Sequence, residues 1–375
     1  MSAAFVWNRY HLLDALARRV PARPTGVGHA VIVMTPGHIG DILHAVPMLR
    51  ALRAGRTDAR IIWLVGSWSA ALARRYADSV DDIRIFGPNL PQFTRGQRAW
   101  KQSAWTQWQS ALALRREGVE SLIAPADATG RFLANAVMPR LWSGIGDWRP
   151  PRVRPEIQTH FQPYEKDRYE ADALCGLLAP LGITAHADRL AYGIAPEERQ
   201  AADDYLKAAG VDSTRPLGLI APGSGWSGKN WLPERFNAIA EHLMHARGCQ
   251  VAWVGSRAEA GLLPSNLGPA FNWMGKTPLP LLAAVMARAH VFIGNDSGLL
   301  HLAAAVDVPT VSIWGPTSPG KWGPKGPRHR QIRKVTRCEG CIYWDYRETC
   351  RRNHACMQAV AVTDVQAAIA EVLAP

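Results

Sequence analysis

No stretch of this sequence reaches the roughly 18 consecutive apolar residues that a membrane-crossing helix needs, and the first residues lack the compact apolar core of a secretion signal. The chain is therefore expected to stay in the cytoplasm. Cysteine is scarce: of six, Cys175 and Cys249 stand alone in apolar surroundings and only Cys338, Cys341, Cys350 and Cys356 cluster. That excludes a disulfide-stapled scaffold. Repeats of solenoid length and low-complexity tracts are missing as well. Acidic residues are in deficit, 31 Asp and Glu against 43 Lys and Arg, which leaves a formal charge of +12. Such a surface attracts polyanions, whether nucleic acid, an anionic membrane face or a phosphorylated glycolipid, or it is simply solvated. No Asp-x-Asp triplet occurs, so the usual carboxylate pair for a sugar-nucleotide metal is absent.

What is present reads as a two-domain α/β protein. At 375 residues the chain exceeds the roughly 100 to 200 residues of one ordinary domain. Residues 5 to 20 place Phe5, Leu12, Leu13, Leu16 and Val20 on one helical face. Such an amphipathic helix, with its linker to residue 29, packs on the protein body or lies on a membrane surface. From Ala30 short apolar runs alternate with helical ones: Ala30 to Met34, Ile39 to Ala54, Arg60 to Val65, Ser69 to Tyr76, Ile83 to Phe86, and on to a helix near Arg131 to Met138. Strands interleaved with helices predict a parallel sheet with crossovers. The segment Trp148 to Pro155, rich in Pro and Arg, interrupts the pattern. It resumes at Leu217 to Ile220 and continues through Gln250 to Val254, Val291 to Ile293 and Thr310 to Trp314. The reading is two Rossmann-like domains, residues 30–190 and 191–375. Most of the fifteen tryptophans are expected in cores. Trp226, Trp231, Trp314 and Trp322 lie in or beside the motifs that follow.

Three segments carry chemistry, each directly after a predicted strand, where ligands bind in parallel α/β sheets. In Thr35-Pro36-Gly37-His38-Ile39-Gly40-Asp41, two glycines admit a substrate to the backbone, and Asp41 stands at a helix start that favours its ionised form. That carboxylate can take a proton from a sugar hydroxyl, or it caps the helix. The second segment, Ala221-Pro222-Gly223-Ser224-Gly225-Trp226-Ser227-Gly228-Lys229-Asn230-Trp231-Leu232-Pro233, nearly matches a phosphate-binding P-loop. Asn230, however, replaces the magnesium-ligating Ser or Thr, and Pro233 suits the first turn of a helix towards Met244. Lys229 is thus expected in the loop, pointing at a diphosphate without a metal. The third segment, Gly294-Asn295-Asp296-Ser297-Gly298-Leu299-Leu300-His301, offers backbone N–H groups and a helix dipole to a phosphate, with His301 one turn into the helix.

Together with Gly315-Pro316-Thr317-Ser318-Pro319, these segments resemble the signature blocks of the lipopolysaccharide heptosyltransferases, glycosyltransferase family 9, in order and separation. The resemblance spans residues 35 to 319. It implies a GT-B fold, with an acceptor-binding N-terminal and a nucleotide-sugar-binding C-terminal domain. By resemblance, Asp41 matches the general base, Lys229 a lysine on the donor phosphates, and Ser224 a hydroxyl near them. Asp296, Ser297, Gly298 and His301 match the donor turn, and Glu259 an acidic residue that holds the nucleotide ribose. The implied reaction is inverting transfer of a heptose from an ADP-sugar, ADP-heptose, to a glycolipid acceptor at the inner membrane surface, with peripheral membrane contact and no catalytic cofactor.

Two further readings stay open. A protein hydroxyl can replace the glycolipid as acceptor, because the donor turn does not separate the two. Acceptor choice rests with loops such as residues 88–101 and 148–160, whose Arg95, Arg98, Lys101, Arg149, Arg152 and Arg154 contact phosphate or acidic sugar groups or are merely solvated. A basic nucleic-acid-binding or P-loop regulatory protein is the remote alternative, and against it stands the lack of any nucleic-acid module. The spacing Cys338-x2-Cys341-x8-Cys350-x5-Cys356 either holds a structural zinc or iron or consists of reduced, unbound thiols. Members of the resembling family carry cysteines here, and a related group that glycosylates protein uses thiolate-bound iron. Oligomeric state is not legible.

Overall fold

In the computed structural model the apolar runs become two parallel sheets, one in each of two units, Met1–Asp188 and Arg189–Pro375. The structure describes residues 15–19, 29–35, 37–86, 104–146, 153–334, 336, 350 and 352–374. The first unit contains β1 (Ala30–Thr35), β2 (Arg60–Val65), β3 (Asp82–Ile85), β4 (Val119–Ile123), β5 (Leu141–Gly146) and β6 (Gln158–Pro163). The second contains β7 (Leu217–Ala221), β8 (Gln250–Trp253), β9 (Phe271–Asn272), β10 (Val291–Asn295), β11 (Thr310–Trp314) and β12 (His329–Arg333). The spatial orders are β3-β2-β1-β4-β5-β6 and β12-β11-β10-β7-β8-β9. Both correspond to the Rossmann order, and every pairing is parallel.

Central strands such as β1, β7, β10 and β11 are buried along almost their whole length, which is why they read as continuous apolar runs rather than alternating ones. The first core gathers Ile32, Met34, Ile62, Leu64, Leu122, Phe132 and Trp142. The second gathers Ile220, Trp231, Phe236, Trp253, Ile293, Val311, Ile313 and Met357. Each sheet reverses its winding direction between the first and fourth strand of its unit. The loops after those strands therefore diverge and leave room for a ligand. Near the amino end of β4, arginines are matched to carboxylates: Arg56 to Glu120 at 2.8 Å and Arg84 to Glu117 at 2.8 Å.

Only residues 15–19 of the expected N-terminal helix are described, and there the buried side is not the expected one. Ala17 is fully buried in the first core, whereas Leu16 is 42% exposed. Arg154 fixes this turn by donating to the carbonyls of Ala17, at 3.3 Å, and of Arg18. It is thus not merely solvated, one of the two alternatives the sequence allowed. The other basic loop residues named above, Arg95, Arg98, Lys101, Arg149 and Arg152, lie outside the described residues. Among the described residues, no helix is long and apolar enough to cross a membrane.

Candidate active site

Chemistry-bearing residues of both units stand at the carboxyl ends of the parallel strands. After β1 the chain turns at Gly37 and His38 into the helix Ile39–Gly55. Asp41 is the third residue of that helix, and its Oδ2 accepts the His38 backbone N–H at 2.6 Å. The capping role read from the sequence is therefore realised. It uses one carboxylate oxygen; the other has no hydrogen-bond partner among the described residues. Gly37 is required here, since a Cβ at that position would overlap the Asp41 carboxylate.

In the second unit the loop after β7 passes through a 3₁₀ turn, Ser227–Lys229, and enters the helix Pro233–Glu241 with Pro233 in its first turn. The loop is held from below by Asn295, the last residue of β10. Its buried side-chain oxygen accepts the Trp231 N–H at 3.0 Å, and its amide donates to the Pro222 carbonyl at 2.7 Å. One amide thereby fixes both ends of the loop, and the loop geometry depends on the neighbouring strand. Ser224 donates its hydroxyl proton to the Trp226 carbonyl at 2.7 Å and lies 2.6 Å from the Asn230 side-chain oxygen. It braces the loop from within.

Asp296 is the centre of this site. Its Oδ2 accepts from Lys229 Nζ at 3.0 Å and from the Thr317 hydroxyl at 2.8 Å. His301 Nε2 lies 3.7 Å from its Oδ1. Burial raises the Asp296 pKa, but the Lys229 charge, His301 and the Thr317 hydroxyl outweigh burial and hold the carboxyl well below the usual carboxylate range. Asp296 is thus a fixed negative charge that orients an ammonium. Ser297 caps the helix Gly298–Ala305 by accepting the Leu300 N–H at 3.4 Å, so that N-terminus faces the same turn.

Glu259 follows β8 and closes its own short turn: its Oε2 accepts from the Ser256 N–H and hydroxyl, each at 2.7 Å. Its other oxygen covers Gly223, where a Cβ would overlap it. The loops after β7 and β8 therefore touch through this carboxylate. The resemblance put Lys229, Asp296 and His301 together at the donor, but the sequence did not reveal that Asp296 bonds Lys229, nor did it give roles to Thr317 and Asn295. A signal for Asn295 existed: an amide that ends a fully apolar strand has to be hydrogen-bonded once buried.

Of the four clustered cysteines, Cys338 and Cys341 lie outside the described residues. Cys356 is buried in the second core, where a Cβ on Gly315 would come within 3.0 Å of its sulfur. Among the described residues no group of three or more His, Cys, Asp or Glu is placed to hold a metal ion. Trp231 and Trp314 are core residues, 1% and 0% exposed. Trp226 instead covers Gly228 in the loop.

The arrangement in the second unit can hold an anion beside Lys229 and the Ser297–Gly298 turn; in the first unit the Asp41 carboxylate keeps one oxygen without a hydrogen bond among the described residues. The model of glycosyltransferase family 9 (heptosyltransferase) matches residues 171–350. Lipopolysaccharide heptosyltransferase 2 of Escherichia coli (strain K12) is 30% identical over 323 residues, which cover 82% of this chain and 88% of that protein. Among solved structures, a glycosyl transferase family 9 protein from Veillonella parvula DSM 2008 superposes with a TM-score of 0.71 at 20% identity, over 95% of this chain and 99% of that one. The E. coli ADP-heptose lps heptosyltransferase II gives 0.66 at 18% identity, over 92% and 98%. These likenesses show the expected GT-B class of fold, two Rossmann-like units in one chain.

Proposed function

The chain belongs to glycosyltransferase family 9, and from that membership we propose that it transfers a heptose from an ADP-linked donor to the inner core of lipopolysaccharide, with inversion at the anomeric carbon. The enzyme works at the cytoplasmic face of the inner membrane, where its basic surface meets a phosphorylated glycolipid. The observation that carries the reading is the Lys229–Asp296–His301–Thr317 cluster beside the capped turn at Ser297. It is built to take a diphosphate, and the E. coli relative is a lipopolysaccharide heptosyltransferase.

Inverting transfer needs an acceptor hydroxyl deprotonated on one face of the sugar and a leaving diphosphate stabilised on the other. In this reading Asp41 takes the hydroxyl proton as the acceptor oxygen forms its bond to the anomeric carbon. The electron pair of the breaking bond goes to the ADP phosphate oxygen. Lys229 and the backbone N–H groups of residues 297 and 298 receive that charge. Asp296 faces Lys229 rather than the phosphate: its negative charge keeps the ammonium aimed, and so preorganises the site before donor arrives. Glu259, near Gly223, accepts from the ribose hydroxyls, and Ser224 keeps the loop in shape. We further propose that Cys338, Cys341, Cys350 and Cys356 form a structural zinc or iron site outside the catalytic steps. Near-stoichiometric metal in protein purified without a histidine tag, lost when Cys338 and Cys341 become serine, is the expected result.

The transferase reading is tested by mixing the protein with ADP-, GDP- and UDP-sugars and recording which stabilises it to heat. Mass spectrometry then asks whether ADP-heptose adds one heptose to lipopolysaccharide from a heptose-deficient strain. Selective stabilisation by ADP-heptose and a single heptose increment are expected. Stabilisation without transfer to this acceptor, but with transfer to a protein hydroxyl, would overturn the acceptor assignment and keep the donor.

A further inference from the structure

Exposure of a large aromatic ring is costly and calls for a reason. Among the described residues Trp68 is the only Trp, Tyr or Phe side chain left exposed, at 37%. It sits just after β2, at the same edge of the first sheet as Asp41. The neighbouring Trp63 shows the ordinary outcome, being fully buried with its indole N–H on the Thr35 hydroxyl at 2.7 Å.

The pose of Trp68 is fixed. Its indole N–H donates to the Gly37 carbonyl at 2.9 Å. The ring lies over Gly66, where a Cβ would come within 2.6 Å of Cζ2. The His38 ring stands beside it, with centroids 6.1 Å apart and planes 36° from parallel. Gly37 thus connects two groups: its carbonyl holds the indole, and its α-carbon lies against the Asp41 carboxylate. A rigid, partly exposed aromatic surface and a carboxylate with one uncommitted oxygen are therefore anchored on a single residue. Neither the capping of the helix nor the packing of the first core uses that surface.

We propose that Trp68 is the platform on which the acceptor's sugar ring stacks while Asp41 takes the proton of its hydroxyl. A pyranose has an apolar face of C–H groups and a polar rim of hydroxyls. An indole packs against the face without competing for the rim, and an adjacent carboxylate reaches one rim hydroxyl. The indole N–H is already bonded to Gly37, so the ring offers its π surface rather than its donor. Trp68 is then a positioning residue for the acceptor, with no part in donor binding. This deepens the transferase reading and rests on it.

The test compares Trp68→Ala, Trp68→Phe and Trp68→Leu with wild type, using ADP-heptose and deacylated lipopolysaccharide from a heptose-deficient strain. Trp68→Ala is expected to raise KM for the acceptor about tenfold and to leave the affinity for ADP, read by calorimetry, within about twofold of wild type. Trp68→Phe keeps a stacking face but loses the N–H bond to Gly37, and should recover most of the acceptor affinity. Trp68→Leu fills the space without a π face and should resemble alanine. If phenylalanine behaves like alanine and the loss falls on kcat, Trp68 only braces the Gly37 turn and the proposal is wrong. Should alanine fail to fold, as judged by circular dichroism, the Phe and Leu pair gives the same decision. Wild-type protein that binds the acceptor in saturation-transfer NMR without transferring heptose would sink the transferase reading. Loss of that NMR signal in Trp68→Leu but not in Trp68→Phe would still support the platform, and equal signals in both would overturn it.

Discussion

Asp41 stands at the start of the helix after the first strand of its unit and Asp296 just before the helix after the fourth strand of the other, and their surroundings differ in the respects that set a carboxylate's role. Asp41 is half-buried, accepts one backbone N–H from His38 and makes no salt bridge among the described residues. Asp296 is buried and bonded to Lys229 and Thr317, with His301 alongside. The first arrangement leaves one carboxylate oxygen without a hydrogen bond among the described residues. The second fixes a carboxylate in its charged form and uses it to orient others. One fold, repeated twice, thus carries a helix-capping carboxylate in one unit, the proton acceptor of the proposed mechanism, and an electrostatic anchor in the other, through the residues of the neighbouring loops.

The comparison breaks most sharply at Asp41. Asp41→Asn keeps the size of the side chain and an oxygen to accept the His38 N–H, but removes the carboxylate proposed as the proton acceptor. Turnover should fall by about 10²-fold to 10⁴-fold, with ADP affinity and melting temperature nearly unchanged. Near wild-type turnover in a steady-state assay would take Asp41 out of the mechanism.

Asp296→Asn should act on stability as well as on rate. The half-buried Lys229 ammonium would lose its counter-charge, at a cost of about 3 kcal/mol, which lowers the melting temperature of a unit this size by roughly 6 to 12 °C. The pH dependence follows in sign. The Asp296 pKa is depressed in the folded state, so its contribution is fully present above the unfolded value of about 3.9. It is lost as pH falls towards the lower folded value. Thermal melts between neutral and acid pH should therefore fall more steeply for wild type than for Asp296→Asn. Parallel curves would show that Asp296 is not the linked group.

A smaller effect is expected at Lys229. Replacement by alanine removes the donor-facing charge and should weaken ADP binding by about 1.5 to 3 kcal/mol, whereas Asp41→Asn should not. The double variant Lys229→Ala with Asp296→Asn should fall short of the summed single effects, because the two residues are bonded to each other. Strict additivity in calorimetry would contradict the orienting role given to Asp296.

The sequence made the central strands and the three motif loops legible, because a strand buried on both faces is a short apolar run and the loops follow those runs directly. Edge strands other than β3 were lost. β6, Gln158–Pro163, is polar and partly exposed and follows the Pro-rich interruption, while β9 has only two residues. The helix Pro196–Ala208 carries mostly exposed charged residues and a single buried one, Ala202, so its apolar signal is weak. Within the site, single residues were readable but their pairings were not. Lys229 and Asp296 are 67 residues apart, and only the adjacency of β7 and β10 brings them together. Trp68 escaped notice because nothing in a local pattern tells an exposed tryptophan from a buried one.

Ser224 gives the smallest prediction and the finest test of that limit. By resemblance it stands near the donor phosphates, but its hydroxyl is occupied inside the loop, on the Trp226 carbonyl at 2.7 Å and beside Asn230 at 2.6 Å. A hydroxyl so engaged contributes mainly by holding the loop that carries Lys229. Ser224→Ala should therefore cost about 0.5 to 1.5 kcal/mol of stability, the usual net worth of one hydrogen bond. ADP affinity should change by less than the Lys229→Ala effect. Calorimetry and thermal melts of the same variant separate the two roles. A loss of affinity as large as that of Lys229→Ala, without a change in melting temperature, would mean that Ser224 turns its hydroxyl to the phosphate when donor binds and that the bracing seen here gives way.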